Sequence, residues 1–197
     1  MQGLINRAIQ CFVVDTHGER VWYDVIARSS VGFNSFEAFL DYPISTTLKL
    51  VDAVERVTSL PKSSFLEDLG VYLVTSPTTK AVRRLLRFGG QTFEDFVLSL
   101  DELPERINLA FADIVLPRIE VTQPSSHTFM VTVSDGIDGF DFVVVGVLRA
   151  LADDYGALAF IDLSCDANAS KITVLLADSG FGAGRNFDFE NPLYALG

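Results

Sequence analysis

The sequence predicts an α+β fold in which a series of helices precedes a four-stranded antiparallel sheet of order β-β-α-β-β. Apolar residues recur at helical spacing as far as Leu103, and after Pro117 their period changes from 3.6 to 2. Because the strands come in pairs around one helix, the pattern is not that of alternating, parallel α/β units. Hydrophobic residues make up 49% of the 197 residues, which is enough to bury a sizeable core.

Glycine, serine and proline residues divide the first half of the chain into predicted helices. A first helix ends at His17, a second breaks at residues 29–32, and Ser45 is predicted to cap a third. Ser63 is predicted to open a fourth helix, and a short fifth helix stops at residues 89–90. The most strongly periodic helix then runs into Pro104 and carries Phe93, Phe96, Val97, Leu100 and Leu103.

The second half of the chain is predicted to supply the sheet. Alternating residues indicate a hairpin, with strands near residues 119–123 and 128–133. A helix is predicted over residues 140–155, followed by two more strands at residues 157–163 and 171–177. These four strands are expected to pair antiparallel.

The charge balance narrows the class of partner. The chain has 15 Lys and Arg against 26 Asp and Glu, so its formal net charge is −11. This excess of acid argues against non-specific binding to nucleic acid and against docking on an anionic membrane. The longest apolar stretch, residues 142–148, is too short to span a bilayer, and the N-terminus lacks the features of a signal peptide. We therefore expect a soluble, cytoplasmic protein.

Residues that usually carry catalysis or metal binding are sparse. The sequence contains no GxSxG, Walker A or HExxH motif. The two histidines, His17 and His127, each stand alone and are predicted as turn or surface residues. Cys11 and Cys165 form no CxxC motif and are predicted to be reduced thiols. We expect that the chain is not an enzyme.

Several short motifs occur in an order similar to that of a known family. They are Met1-x-Gly3-x-Ile5, the stretch from His17-Gly18 to Trp22, the run at residues 65–72, and residues 93–111. The chain resembles stand-alone bacterial members of the H-NOX family, the heme nitric oxide/oxygen-binding domains of gas sensors and of soluble guanylate cyclase. The resemblance implies one H-NOX-like domain with heme held between two subdomains. These are a helical N-terminal subdomain, residues 1–62, and a larger subdomain with the sheet, residues 63–197.

Both polar anchors that the family uses for heme are replaced in this sequence. The family holds iron through the histidine of a Leu-Asp-x-Leu-His pattern, but residues 100–104 read Leu-Asp-Glu-Leu-Pro and place Pro104 at the ligand position. Proline has no side-chain donor for iron. The family's Tyr-x-Ser-x-Arg clamp for the propionates is expected between Met130 and Asp138, where neither Tyr nor Arg occurs.

The apolar wall of the family's heme cavity is matched better than its anchors. By resemblance, the residues of the cofactor site are Ile5, Ile9, Leu73, Leu100, Leu103, Pro104 and Pro117. The same residues also suit ordinary core packing. For heme bound through an unusual ligand, the candidate metal ligands are His17, His127 and Cys11.

Three functions are therefore open. The first is a heme-dependent sensor of nitric oxide with an unusual axial ligand. The second is a heme-free protein-interaction domain, and the third is a sensor of another apolar ligand in the same cavity. The resemblance implies regulation of a separate signalling partner, such as a histidine kinase or a diguanylate cyclase. The acidic surface would then meet a basic patch on that partner.

Overall fold

The computed structural model describes residues 2–110, 116–165 and 169–177 of the chain. Its elements are α1 (Gln2–His17), α2 (Glu19–Ser29), α3 (Ile44–Thr58), α4 (Lys62–Thr75), α5 (Lys80–Arg87), α6 (Phe93–Leu98), α7 (Leu103–Ala110), β1 (Arg118–Ser125), β2 (Thr128–Ser134), α8 (Phe140–Tyr155), β3 (Ala159–Cys165) and β4 (Ser170–Leu176). Two 3-10 turns, Pro77–Thr79 and Ser99–Glu102, lie before α5 and α7. No helix in these three ranges combines the length and hydropathy needed to cross a bilayer.

The four strands form one antiparallel sheet in the order β1-β2-β4-β3. Near its centre, Val131 of β2 lies opposite Val121 of β1 and Ile172 of β4. Because side chains alternate along a strand, Phe129, Val131 and Val133 share one face of β2, and all three are buried. The predicted α+β fold, with its four-stranded antiparallel sheet, is confirmed.

Buried apolar residues form two clusters. The first, which we call the helical core, is built on α1–α4 and includes Phe12, Trp22, Phe36, Phe65 and Tyr72. The second, the sheet core, joins the sheet to α6 and α8 and includes Phe96, Phe129, Leu148, Leu151 and Ile172. Helix α4 contributes Tyr72 to the helical core and Val74 to the sheet core. The predicted boundary between residues 62 and 63 therefore falls at the start of a helix that serves both cores.

Two buried glycines allow α4 and α8 to pack closely. A β-carbon at Gly70 would overlap the carbonyl oxygen of Val143, and one at Gly146 would overlap the carbonyl oxygen of Glu67. Since backbone atoms of a packed helix cannot move aside cheaply, the contact requires residues without side chains at both positions. This contact fastens the helix shared by the two cores to the long helix of the sheet core.

The predicted serine cap of α3 is wrong, and the fourth helix opens one residue before the predicted Ser63. Helix α3 begins at Ile44 after Pro43, and helix α4 begins at Lys62 after Pro61. Proline stands at these starts because its fixed φ, −57° at Pro43, suits the entry into a helix. Ser45 and Ser63 lie inside the first turns of their helices instead.

Pro104 does not end a helix. In place of one long helix ending at this residue, the chain forms α6, then a 3-10 turn, and then α7. Pro104 is the second residue of α7. Proline is tolerated there because the N–H groups of the first helical turn have no acceptor within the helix. The chain therefore continues as a helix past the predicted ligand position.

Candidate functional site

A cavity of about 700 Å³ is lined by residues of both cores. The helical core supplies Ile9, Val51 and Leu69, and the sheet core supplies Leu86, Leu100 and Leu148. The volume lies within the range of roughly 300–1,000 Å³ that is typical of small-molecule and cofactor sites. The cavity is therefore the candidate ligand site of the described structure.

Five of the seven residues predicted for the cofactor site line this cavity. They are Ile5, Ile9, Leu73, Leu100 and Leu103. Ile5 and Ile9 are four residues apart on α1, so both side chains lie on one face of that helix. The family resemblance thus implied five apolar positions that line the cavity, while the identity of the ligand stays a prediction.

The two predicted prolines lie away from the cavity wall. Pro104 is half-buried, and it is the neighbouring Leu103 and Ile107 of α7 that line the cavity. Pro117 is buried just before β1 and lies close to Gly136, where an added β-carbon would meet the proline ring. Neither proline is among the residues that line the cavity.

Only one of the three candidate metal ligands faces the cavity. Cys11 of α1 lines it and is half-buried. His17 ends α1 and places its ring edge-on to Phe12, with 6.5 Å between ring centroids. His127 is exposed in the turn between β1 and β2. In the described residues, no group of three or more His, Cys, Asp or Glu side chains is arranged to hold a metal ion.

The segment expected to carry the propionate clamp is acidic. After β2 the chain passes through Asp135 and Asp138 before α8 begins, and Asp135 adopts the left-handed conformation with a φ of 57°. Asp141, in the first turn of α8, accepts a hydrogen bond of 2.6 Å from the Ser170 hydroxyl. Of these carboxylates, Asp138 lines the cavity, and it would repel a heme propionate because the two groups carry like charges.

Arg7, Lys62 and Asp138 are the charged residues that line the cavity. Lys62 forms an ion pair with Asp52. The hydrogen bond to Asp52 raises the pKa of Lys62, and the negative charge of Asp138 acts in the same direction. Arg7 is exposed, and no carboxylate forms an ion pair with it in the described structure. The charged groups at the cavity are thus the ammonium group of Lys62, which is paired with Asp52, the carboxylate of Asp138, and the guanidinium group of Arg7, which forms no ion pair with the described residues.

Two polar contacts beside the cavity were not predicted. The Thr47 hydroxyl of α3 donates a hydrogen bond of 2.7 Å to Oδ1 of the fully buried Asn6, whose Nδ2 has no acceptor among the described residues. The Tyr72 hydroxyl donates to Asp15 over 2.6 Å, and burial raises the pKa of Tyr72. Both contacts tie α1 to another helix. Apolar periodicity carries no signal for such pairs, because their partners are 41 and 57 residues apart.

The residues of the cavity do not fit heme as the family resemblance would bind it. The predicted ligand position is occupied by Pro104, which does not line the cavity, and neither histidine lines it. The segment expected to carry the propionate clamp is acidic. Cys11 is the lining residue that could supply a donor of the kind found in heme proteins. The apolar volume is present without the imidazole that holds the iron and without the Tyr-x-Ser-x-Arg clamp that holds the propionates in the family. The cations that line this cavity are Arg7 and Lys62.

Comparison with known proteins gives the family of this chain. A model of the Haem-NO-binding family matches residues 2–160. The chain belongs to this family, which confirms the predicted resemblance to H-NOX domains. Domains of this kind act as sensors rather than catalysts, and heme is their typical cofactor.

Curated relatives and solved structures support the same assignment. The chain is 23% identical over 180 residues to soluble guanylate cyclase gcy-31 of Caenorhabditis elegans, covering 89% of this chain and 26% of that protein. It is 29% identical over 157 residues to gcy-34 of the same organism, covering 77% and 23%. This chain therefore spans about a quarter of the length of the curated relatives that it matches.

Among solved structures, two H-NOX proteins have the same fold. The Fe(II) unliganded protein from K. algicida superimposes with a TM-score of 0.78 at 15% identity, covering 90% of this chain and 97% of that one. The Fe(II)NO form from S. oneidensis gives 0.76 at 17% identity, covering 90% and 100%. At these identities the comparison establishes the fold, and the ligand of this chain has to be argued from its own residues.

Proposed function

We propose that this chain is a ligand-sensing regulatory domain that acts on a separate signalling protein, and that its cavity binds a ligand without a histidine–iron bond. The observation that carries the proposal is the apolar cavity lined by both cores, next to a ligand position occupied by Pro104. A histidine kinase or a diguanylate cyclase is the kind of partner that the family resemblance favours.

The position of the cavity explains how a bound ligand would be read. One wall comes from α1 and α3 of the helical core, and the opposite wall includes α7 and α8. A ligand that contacts both walls stabilises one separation of the two cores over others. Binding can shift a conformational equilibrium only through such a difference in affinity between two states. The partner would respond to the relative position of the cores.

Absorption spectroscopy tests the absence of a histidine–iron bond. The protein is purified from cells supplied with a heme precursor, titrated with hemin, and then exposed to nitric oxide. We expect no stoichiometric Soret band that shifts with nitric oxide, because no imidazole lines the cavity to hold the iron. A stoichiometric band with such a shift would overturn this part of the proposal and support a heme-based sensor of nitric oxide.

A second candidate, heme held through a thiolate, is favoured by one observation. Cys11 is the candidate metal ligand that lines the cavity. If the spectrum shows bound heme, Cys11→Ser should abolish or shift the Soret band. His17→Ala and His127→Ala are matched controls, because both side chains lie away from the cavity and should leave the band unchanged. A band that survives Cys11→Ser would exclude the thiolate.

The contact with the partner is proposed to depend on charge. With a net charge of −11, the chain offers an acidic surface to a basic patch on the partner. The affinity for the candidate kinase or cyclase should then weaken as the salt concentration is raised. Mobile ions screen the attraction between exposed charges over a Debye length of about 10 Å at 0.1 M salt, and this length shortens as salt is added. Association that does not change with salt would indicate an apolar contact instead.

A further inference from the structure

We propose that the ligand of the cavity is a long-chain monocarboxylate, with its alkyl chain between the two cores and its carboxylate on the guanidinium group of Arg7. This inference deepens the proposed function because it names the ligand class of the same cavity. Its binding step can be tested without any partner protein.

Arg7 lies on the face of α1 that lines the cavity. Leu4, Arg7, Ala8 and Cys11 all line the cavity. Their spacing of three, four and seven residues places them on one stripe of the helix. Arg7 is thus the one charged residue on the cavity-facing stripe of α1. Its aliphatic stem can lie along the apolar wall while its guanidinium group reaches solvent at the opening.

The two cations that line the cavity, Arg7 and Lys62, differ in their ion pairs. Lys62 is paired with Asp52, and Asp138 of the opposite segment also acts on Lys62 electrostatically. No ion pair involving Arg7 occurs in the described ranges. A guanidinium group presents paired N–H donors that match a carboxylate. The head group of the ligand therefore belongs at Arg7 rather than at Lys62.

The residues of the cavity also restrict the charge and the shape of the ligand. One free cation on a chain of net charge −11 favours a ligand with a single negative charge over a phosphate with two. The wall is built from leucine, isoleucine and valine on α1, α4, α5, α7 and α8, with Phe140 and Phe142 as its aromatic members. Branched aliphatic walls of this kind suit a flexible hydrocarbon chain.

Titration calorimetry with dodecanoate and dodecan-1-ol, both below their aggregation limits, tests the inference. We expect the wild-type protein to bind dodecanoate about tenfold more tightly than dodecan-1-ol, which is the size of effect given by a hydrogen-bonded charge. Arg7→Gln should remove this difference and leave dodecan-1-ol binding unchanged. Arg20→Gln is the matched control, because Arg20 is exposed on α2, does not line the cavity and loses the same charge.

The outcomes separate this inference from the proposed function. Equal binding of the acid and the alcohol, or an Arg7→Gln effect no larger than that of Arg20→Gln, overturns the assignment of the head group to Arg7. Binding of neither probe overturns the ligand class. The sensor function is judged separately, by whether the activity of the partner changes when the cavity is filled with dodecan-1-ol or with hemin. Thermal unfolding of both variants verifies that each is folded.

Discussion

The helical core and the sheet core are packed by different means. In the helical core, aromatic rings meet one another: the ring of Phe12 lies 5.3 Å from that of Phe65 and 5.1 Å from that of Tyr72. Trp22 also contacts Phe36 edge-on. In the sheet core, ring contacts occur among Phe93, Phe96 and Tyr155. Apart from Phe129, the residues between the sheet and α8 are mainly leucine, isoleucine and valine. Ring pairs fix distance and angle, whereas aliphatic side chains fill space without a fixed geometry.

This difference explains where the cavity lies. The aromatic residues of the helical core lie between α1 and α4 and beside α2, where Phe12 contacts Phe65 and Trp22 contacts Phe36. These ring contacts join the elements of the helical core to one another. Beyond them, α1 and α4 turn aliphatic side chains such as Ile5 and Leu73 toward the aliphatic residues of the sheet core. The cores meet closely where Gly70 and Gly146 allow it, and the cavity occupies part of the remaining space between them.

The largest expected effect comes from breaking the contact that fastens the two cores. Gly146→Ala places a β-carbon on the carbonyl oxygen of Glu67, so α4 and α8 must separate. We expect a loss of about 3 kcal/mol in the free energy of unfolding, as for an overpacked core. Urea unfolding measures it. Asp153→Ala, on the exposed side of α8, is the control and should change stability by less than about 0.5 kcal/mol. Equal stability of the two variants would contradict this account of the packing.

An intermediate effect compares the two means of packing directly. Phe65→Leu removes a ring that packs on Phe12, whereas Phe129→Leu removes a fully buried ring that has no ring partner among the described aromatic residues. Both variants should be destabilised. The loss at Phe65 should be greater by about 1 kcal/mol, which is the contribution of an aromatic pair beyond its buried area. A greater loss at Phe129 would reverse the comparison.

The smallest effect concerns the start of α6 in the sheet core. Thr92 and Asp95 form a capping box, in which the Thr92 side chain accepts from the Asp95 N–H and the Asp95 carboxylate accepts from the Thr92 N–H. Thr92→Ala should cost about 1 kcal/mol in thermal or urea unfolding. Helices α3 and α4 of the helical core offer no equivalent substitution, because they follow Pro43 and Pro61 and have no side-chain cap to remove.

The same capping box should make stability depend on pH. Hydrogen bonds from Thr92 lower the pKa of Asp95 below its ordinary value of 3.8. A lowered pKa in the folded state means that the carboxylate stabilises the fold above pH 3.8 and that this contribution is lost as the pH falls through the lowered value. Asp95→Asn should therefore be less stable than the wild type near neutral pH, with a gap that narrows below pH 3.8. A gap that is constant with pH would contradict the assignment.

The sequence was informative where one side-chain property decides the structure. The period of apolar residues predicted the order of elements and the sheet, because it follows which side chains are buried. The family resemblance, and not the period, implied the cavity-lining Ile5, Ile9 and Leu100. The start of α3 was missed since Pro43, rather than Ser45, precedes the first residue of that helix, whereas α4 begins at Lys62, one residue before the predicted Ser63.

Parts of the site were beyond prediction because they depend on residues distant in sequence. The sequence around Arg7 does not indicate whether a carboxylate pairs with it. The fold shows that Asp52 and Asp138 act on Lys62 instead. A sequence motif placed Pro104 at the ligand position. The motif did not predict that a 3-10 turn ends α6 and that a new helix, α7, begins at Leu103, so that Pro104 lies in its first turn. Close packing at Gly70 and Gly146 likewise depends on two helices meeting.

The most direct test of the central claim, that the cavity keeps the apolar volume for heme but lacks the histidine that would hold the iron, is a hemin titration of Pro104→His. Position 104 adjoins the lining residues Leu103 and Ile107, so an imidazole there lies next to the cavity wall. Leu109→His, on the exposed side of the same helix, is the matched control. We expect Pro104→His to bind hemin at least about tenfold more tightly than both the wild type and the control, as a new axial bond requires. Affinity equal to that of Leu109→His would contradict the claim and show that the cavity itself excludes heme.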